Sequence, residues 1–472
     1  MSDTTIDGST PSAARPATET SADLAEPGTS ARAGAPAPEQ HGETSTATDS
    51  DAFVEIHTDT VDTVDTDDAE RASDGEARRW RRAVTIGLIA YVVSRLCVLA
   101  GAAVRASQVV VDQRNDGEPE QGAIDLITGV LTSWDGLWYL TLARSGYPTS
   151  IPADITFNQP EARAAFFPLY PGAVNVVDRV LPGGDTFAAL TLNLVLGSIA
   201  VVLVGMLARS VFSTAVAARA MVLMAVFPGS FVLSFAYSEA LFLVFAAACL
   251  LLLHDERWFL AGLAGALATA TRPNGIAIVA ACLVAAVIAV WTKRQWSAIS
   301  SVLLAPVGFV AFQLYVDDTA GESGAWFRVQ REAWSEGTSF GITAVTNTVG
   351  FLRSPFDSPA DALTFLSLFA LAIMVFAAWK RRLPPAWIAF SAVVIALMLI
   401  PETVTARPRF VYTAFPLLVA VAAWWPRPSP EEVRSGDDQL SLADASWYLM
   451  VGLSCAGLAV LTNLYGVFGA IP

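Results

Sequence analysis

Apolar residues in this chain come in long blocks separated by short polar stretches. The first block, "AVTIGLIAYVVSRLCVLAGAAV", fills residues 83 to 104. Its 22 residues rise about 33 Å as a helix, enough to cross a bilayer. Further blocks cover roughly 186–206, 211–227, 230–253, 259–291, 297–316, 361–379, 384–400, 408–425 and 446–469. The block at 259–291 is too long for one crossing and is interrupted by "TRPNG"; the apolar stretch 166–181 is punctuated by Pro168 and Pro171. The pattern predicts an all-α, polytopic integral membrane protein with between nine and twelve transmembrane helices.

Composition agrees with lipid as the solvent. Hydrophobic residues make up 54% of the chain and charged residues only 15%, where a soluble domain carries about a quarter. The net charge of −15 is confined to the N-terminal segment: residues 1–77 hold 18 acids and 3 bases, leaving 26 of each in the other 395 residues. That segment is rich in Ser, Thr, Ala, Pro and Glu, so it is expected to be a disordered, acidic, cytoplasmic tail. No apolar h-region follows Met1, so it does not resemble a cleaved signal peptide. The multi-pass membrane body then spans residues 78–472.

Basic residues set the orientation. "RRWRR" (78–82) precedes the first block and places the N-terminus in the cytoplasm of a cell-membrane protein; "TKRQW" (292–296) and "KRR" (380–382) mark two more cytoplasmic turns. The two longest loops, 105–165 and 317–358, hold 8 acids to 4 bases and 6 acids to 3 bases, and belong outside. The crossings between residues 165 and 292 must then be odd in number. In the first external loop, Ile127, Val130, Leu131, Trp134, Leu137 and Trp138 recur at helical spacing, flanked by a polar stripe of Thr128, Thr132, Asp135 and Tyr139. This predicts an interfacial helix with Asp135 at the water–lipid boundary. Within it, "SWDGLW" also offers Ser133 and Asp135 as helix caps.

The inventory of reactive groups is narrow. His254 is the one histidine outside the tail, which excludes the usual histidine-based metal sites and makes a carboxylate the natural general base. Cys97, Cys249, Cys282 and Cys455 lie inside apolar blocks and read as small core residues. Arg95, Glu239 and Arg272 interrupt apolar blocks, and each must face a partner, a cavity or a ligand. A structural ion pair of Glu239 with Arg272 or Arg95 is one expectation. A cavity at Arg272 is another, because Pro273, Asn274 and Gly275 break the helix there. In "AWFRVQREAWSEG", Phe327, Gln330 and Trp334 fall on one helical face, and "TARPRF" brings Arg407 and Arg409 to the outer start of a late block. Packing of an amphipathic loop helix and interfacial snorkelling account for these last two segments equally well.

Taken in order, "WDGLWYLTLARSGYP", "AFFPLYP", "FPGSFVLSFAYSEALF", "TRPNG" and "FRVQREAW" resemble motifs of the PIG-V family. These are the second mannosyltransferases of GPI-anchor synthesis and their bacterial relatives, in the glycosyltransferase-C superfamily. The resemblance covers most of residues 83 to 420. Where eukaryotic members tend to read Arg-Ser-Asn-Gly, this chain has Arg272-Pro273-Asn274-Gly275. It implies a glycosyltransferase-C fold with extracytoplasmic interfacial loop helices. It also implies a polyprenyl-phosphate-linked mannose donor, inverting transfer, and Asp135 as catalytic base. Substrate-binding roles are expected for Trp134, Trp138, Tyr139, Tyr170, Glu239, Arg272, Asn274, Gln330, Trp334 and Arg409.

The chemistry suits that inventory. A polyprenyl phosphate departs as a stable anion, so no general acid is needed. One carboxylate to take the acceptor's proton and arginines to hold the phosphate suffice. The implied partners are membrane lipid, the lipid-linked donor and an acceptor that is a glycolipid, polysaccharide or protein. No cofactor or nucleic acid is implied, and a divalent-cation requirement stays open. A transporter or lipid flippase is the alternative; it would favour paired helix breaks in two related halves, and the sequence offers one clear break, at 272–275. A scaffold without activity leaves Asp135, Glu239 and Arg272 unexplained.

Overall fold

A computed structural model describes residues 66–467 apart from 118, 120, 356, 403–406 and 428–440. Most of the expected tail, residues 1–65, lies outside the described residues. The described residues form one compact unit, and their regular structure is helical apart from a lone bridge between Thr338 and Pro401.

Six helices are long and apolar enough to cross a membrane: Ser73–Asp116, Gly184–Val211, Pro273–Lys293, Trp296–Ala320, Pro359–Arg381 and Leu442–Tyr465. Four apolar helices are shorter: Thr214–Val226, Glu239–His254, Trp258–Thr269 and Pro385–Leu399. Prolines account for several of the short ones. A residue before proline is pushed out of the helical region, and Phe227, before Pro228, is extended at ψ 134°. The block at 211–227 therefore ends one residue earlier, and a 3-10 segment Pro228–Leu233 follows. Arg272 is likewise extended before Pro273, at φ −158° and ψ 157°. The outward faces remain apolar: Ile89, Leu96, Phe259, Leu314 and Trp379 are exposed, as side chains facing hydrocarbon should be. The fold is an all-α, multi-pass membrane protein.

The first helix, α1 (Thr66–Asp116), runs 51 residues, roughly 75 Å. It continues 12 residues past the apolar block that ends at 104; polarity there marks the end of lipid and not of the helix. Helices α2 (Ala123–Leu131) and α3 (Asp135–Ser145) follow. α4 (Leu169–Asp178), α5 (Gly184–Val211), α6 (Thr214–Val226) and α7 (Glu239–His254) come next. Leu442–Tyr465, the eighteenth and last α-helix of the described residues (α18), packs along α1. Backbones approach closely where glycine permits: a Cβ on Gly101 of α1 would lie 2.3 Å from the Ala459 carbonyl oxygen of α18.

Arg95 anchors the irregular segment between α6 and α7. Its guanidinium donates to the carbonyls of Ser230 (2.7 Å) and Ala225 (3.2 Å) and to the hydroxyls of Ser230 (2.9 Å) and Ser234 (3.0 Å). Its charge-assisted bonds thus serve carbonyls at a helix break, sharing Ala225 O with the Ser230 hydroxyl. Arg95 makes no ion pair with Glu239; that role falls to Arg272. Asn193, on α5, holds the same segment from the other side. Its side-chain nitrogen donates to the carbonyl of Phe235, to that of Tyr237 at 2.8 Å and to the Tyr170 hydroxyl at 3.0 Å.

Candidate functional site

The expected continuous helix through Asp135 is broken. Between α2 and α3 lies a tight turn in which Trp134 has φ 60° and ψ −118°, and Gly136 N donates to Ser133 O at 3.2 Å. This is the first central position of a type II′ turn, where glycine is the norm. A tryptophan there costs of order 1–3 kcal/mol and persists only if its surroundings enforce it. They do so from three directions. The Trp134 indole donates to Tyr465 O at 2.8 Å, the Tyr237 hydroxyl donates to Ser133 O at 3.1 Å, and Ala236 N donates to Leu131 O at 2.9 Å.

Neither predicted cap forms. Ser133 Oγ donates backward to Val130 O at 2.8 Å, and Trp134 takes the cap position without a side-chain capping bond. Asp135 is the first residue of α3, and its carboxylate turns to another element: Oδ2 accepts from Arg409 Nη1 at 2.7 Å. Arg409 rises from a short helix, Pro408–Thr413, with its guanidinium 4.8 Å from the Phe410 ring centroid and 5.7 Å from that of Tyr237. It does not snorkel into solvent, its side chain being 12% exposed, and Arg407 beside it is buried.

A second ion pair is more deeply buried. Arg272 Nη1 lies 2.5 Å from Glu239 Oε2, with side-chain exposures of 9% and 1%; Asp135 keeps 21%. The pair is a close contact without directed hydrogen-bond geometry, because neither Glu239 oxygen has a hydrogen-bond partner within the protein. Arg272 also reaches the Ser238 hydroxyl at 3.5 Å, and Ser238 shares a 2.7 Å hydrogen bond with the Tyr139 hydroxyl. Burial pushes the Tyr139 phenol well above the usual tyrosine range, with Arg272 partly opposing it. Tyr139 is therefore a neutral partner and not a base. The two pairs sense each other electrostatically across the site. Of the two carboxylates, only Asp135 is open enough to meet an acceptor.

The other expected site residues divide into two groups. Tyr170 is fully buried, edge-on to Tyr139 at 5.0 Å, and so lies behind the site. Asn274 is half-buried in the 3-10 turn after Arg272. Trp138 joins Phe157, Phe166 and Trp334 in an aromatic cluster whose centroids lie 4.9–6.1 Å apart. The expected face of Phe327, Gln330 and Trp334 does not form. The helix Ala325–Glu332 ends before Trp334 and buries Ala325, Trp326 and Val329, leaving Phe327 exposed. Trp326 supplies the bulk and its indole donates to Ala165 O at 3.0 Å, so it outcompetes Phe327 for the buried side.

Sequence reasoning missed Asn193, Tyr237 and Ser238, which shape the site's inner wall. The signal for Asn193 was present: an uncompensated amide in the middle of an apolar block needs partners. Among the described residues, no group of three or more His, Cys, Asp or Glu side chains gathers as metal ligands. Cys249 and Cys282 lie buried with their sulfurs 3.7 Å apart, and all four cysteines are free thiols.

No family model and no curated protein matches the chain. Solved structures do resemble it. ArnT from Cupriavidus metallidurans bound to undecaprenyl phosphate is 14% identical with a TM-score of 0.42, covering 72% of this chain and 70% of ArnT. The Archaeoglobus fulgidus oligosaccharyltransferase tethered with an acceptor peptide is 13% identical with a TM-score of 0.38, covering 80% of this chain and 55% of that one. The archaeal AglB in complex with an inhibitory peptide and a dolichol-phosphate is 14% identical with a TM-score of 0.36, covering 71% and 51%. Likeness at this level carries no activity from one protein to another.

Proposed function

We propose that this chain is a membrane glycosyltransferase of the glycosyltransferase-C type. It transfers a mannosyl residue from a polyprenyl-phosphate-linked donor to an acceptor on the extracytoplasmic face, with inversion. The observation that carries this reading is the Asp135–Arg409 contact, backed by Arg272 within the apolar body. It sets one accessible carboxylate beside cations suited to a phosphate. The choice of mannose rests on the resemblance of the WDGLWY, FFPLYP and TRPNG segments to the PIG-V family.

In the proposed step the acceptor oxygen attacks the sugar's anomeric carbon. The bond from that carbon to the phosphate oxygen breaks, and its electron pair leaves with the polyprenyl phosphate. The acceptor's proton passes to Asp135. The departing oxyanion is held by Arg409 and Arg272, whose planar forks match phosphate oxygens. No second carboxylate is required because the leaving group needs no proton.

The test is transfer from radiolabelled polyprenyl-phosphate-mannose in membranes. Asp135→Asn should lower it by about 10²–10⁴-fold, the usual worth of a general base. Near-normal transfer would move the base elsewhere, with Glu239 the next candidate. One observation favours the transporter reading: Pro228–Leu233 is a second break in addition to Pro273–Gly275. Movement of the intact lipid across vesicles without sugar transfer would decide for it.

A further inference from the structure

One hydrogen bond joins Arg409 to Asp135, from Nη1 to Oδ2, and Arg272 Nη1 lies against Glu239 Oε2 without forming one. The Nε atoms of both arginines are buried without a hydrogen-bond partner in the protein, as are both oxygens of Glu239. A buried ion pair repays its desolvation only when the remaining donors and acceptors are satisfied, and buried polar groups generally are. These guanidiniums are therefore loosely engaged, and each keeps a donor edge in reserve.

A phosphodiester has two non-bridging oxygens and can take Nε and Nη of one guanidinium together, the stronger bidentate arrangement. We propose that Asp135 and Glu239 are internal anions that occupy Arg409 and Arg272 until the donor's phosphate displaces them. This rests on the glycosyltransferase reading above and adds an order to it: donor binding releases Asp135, which is then competent to take the acceptor's proton. Glu239 plays the same competing part for Arg272 without itself taking a proton from the acceptor. The carboxylate that serves as base thereby also competes with the donor.

The consequence is opposite to what a simple binding residue gives. Asp135→Asn loses turnover yet binds lipid phosphate more tightly, because Arg409 no longer has a competing anion. The experiment measures binding of heptaprenyl monophosphate to the purified full chain in nanodiscs. Asp135→Asn should tighten it by roughly three- to fivefold, the worth of one partly exposed ion pair. Glu239→Gln should tighten it further if it folds; the Asp135 variant decides the matter if it does not. Neutral heptaprenol should bind both proteins alike, and inorganic phosphate should compete weakly with the lipid. Unchanged or weaker binding by Asp135→Asn would overturn the exchange while leaving Asp135 as base. A gain that heptaprenol shows equally would overturn it too, as an apolar effect. Absence of lipid-phosphate binding by the unmodified chain, or an equal affinity for inorganic phosphate, would overturn the donor assignment itself.

Discussion

Arg409 Nη1 stands 2.7 Å from Asp135 Oδ2 across 274 positions of sequence. The contact ties α3 to the short helix Pro408–Thr413. It makes the carboxylate part of a charge network instead of a helix cap. With Glu239 and Arg272 it turns two separated motifs into one site.

Arginine geometry at this site is testable apart from its charge. Arg272→Ala should weaken binding of heptaprenyl monophosphate, and Arg272→Lys should restore only part of it, since an ammonium is a point charge without the planar fork. Binding titrations on folded protein check this. Full recovery by lysine would show that only charge matters there.

Arg95 is expected to govern stability. Arg95→Leu takes the guanidinium away from the buried carbonyls of Ser230 and Ala225, leaving Ala225 O with the Ser230 hydroxyl, at a cost of about 1–3 kcal/mol. Thermal denaturation in detergent should show a clear drop, smaller for Arg95→Lys. An unchanged midpoint would mean that water or a rearranged segment replaces the guanidinium.

Gly101→Ala should loosen the packing of α1 against α18. Its new methyl would meet a backbone oxygen, Ala459 O, at 2.3 Å, and backbone cannot step aside as a side chain can. A loss of about 1–3 kcal/mol is expected, read as a lower denaturation midpoint. Gly129, with nothing within 4 Å of its Cβ position, is the control and should tolerate alanine far better.

The proposed orientation follows from lysine and arginine placement. Cysteines introduced at exposed Ser150 and Ser323 should react with an impermeant thiol reagent in intact cells, and one at Thr292 should not. Protection of both external positions would reverse the topology and remove the enzyme reading with it.

Deleting residues 1–65 should leave membrane insertion and sugar transfer largely intact, because that segment has little apolar surface and "RRWRR" remains. Both are measurable on the truncated protein. Severe loss of transfer by a normally inserted truncation would give the tail a partner.

Much of the helical plan was legible because apolar blocks report lipid burial directly. The breaks at Phe227 and Arg272 were written in the prolines that follow them. That Glu239 has an arginine partner was legible because buried charge demands one, though the sequence left the choice between Arg272 and Arg95 open. The Asp135–Arg409 contact was not, since nothing in either local segment points to the other. The turn at Trp134 was hidden for a different reason. Tryptophan at helical spacing reads as helix, and only tertiary bonds from Tyr465, Tyr237 and Ala236 explain its glycine-like backbone. The length of α1 was also hidden, because the residues after 104 stop being apolar but remain compatible with helix.

The bond from the Trp134 indole to the Tyr465 carbonyl spans 331 positions, and this has a consequence for biogenesis. A chain emerging from the ribosome presents Asp135 to the membrane long before α18 exists. Until that helix inserts, one of the three bonds enforcing the turn is absent, and only those from Tyr237 and Ala236 hold it. The backbone at Trp134 is therefore fully enforced only once α18 docks.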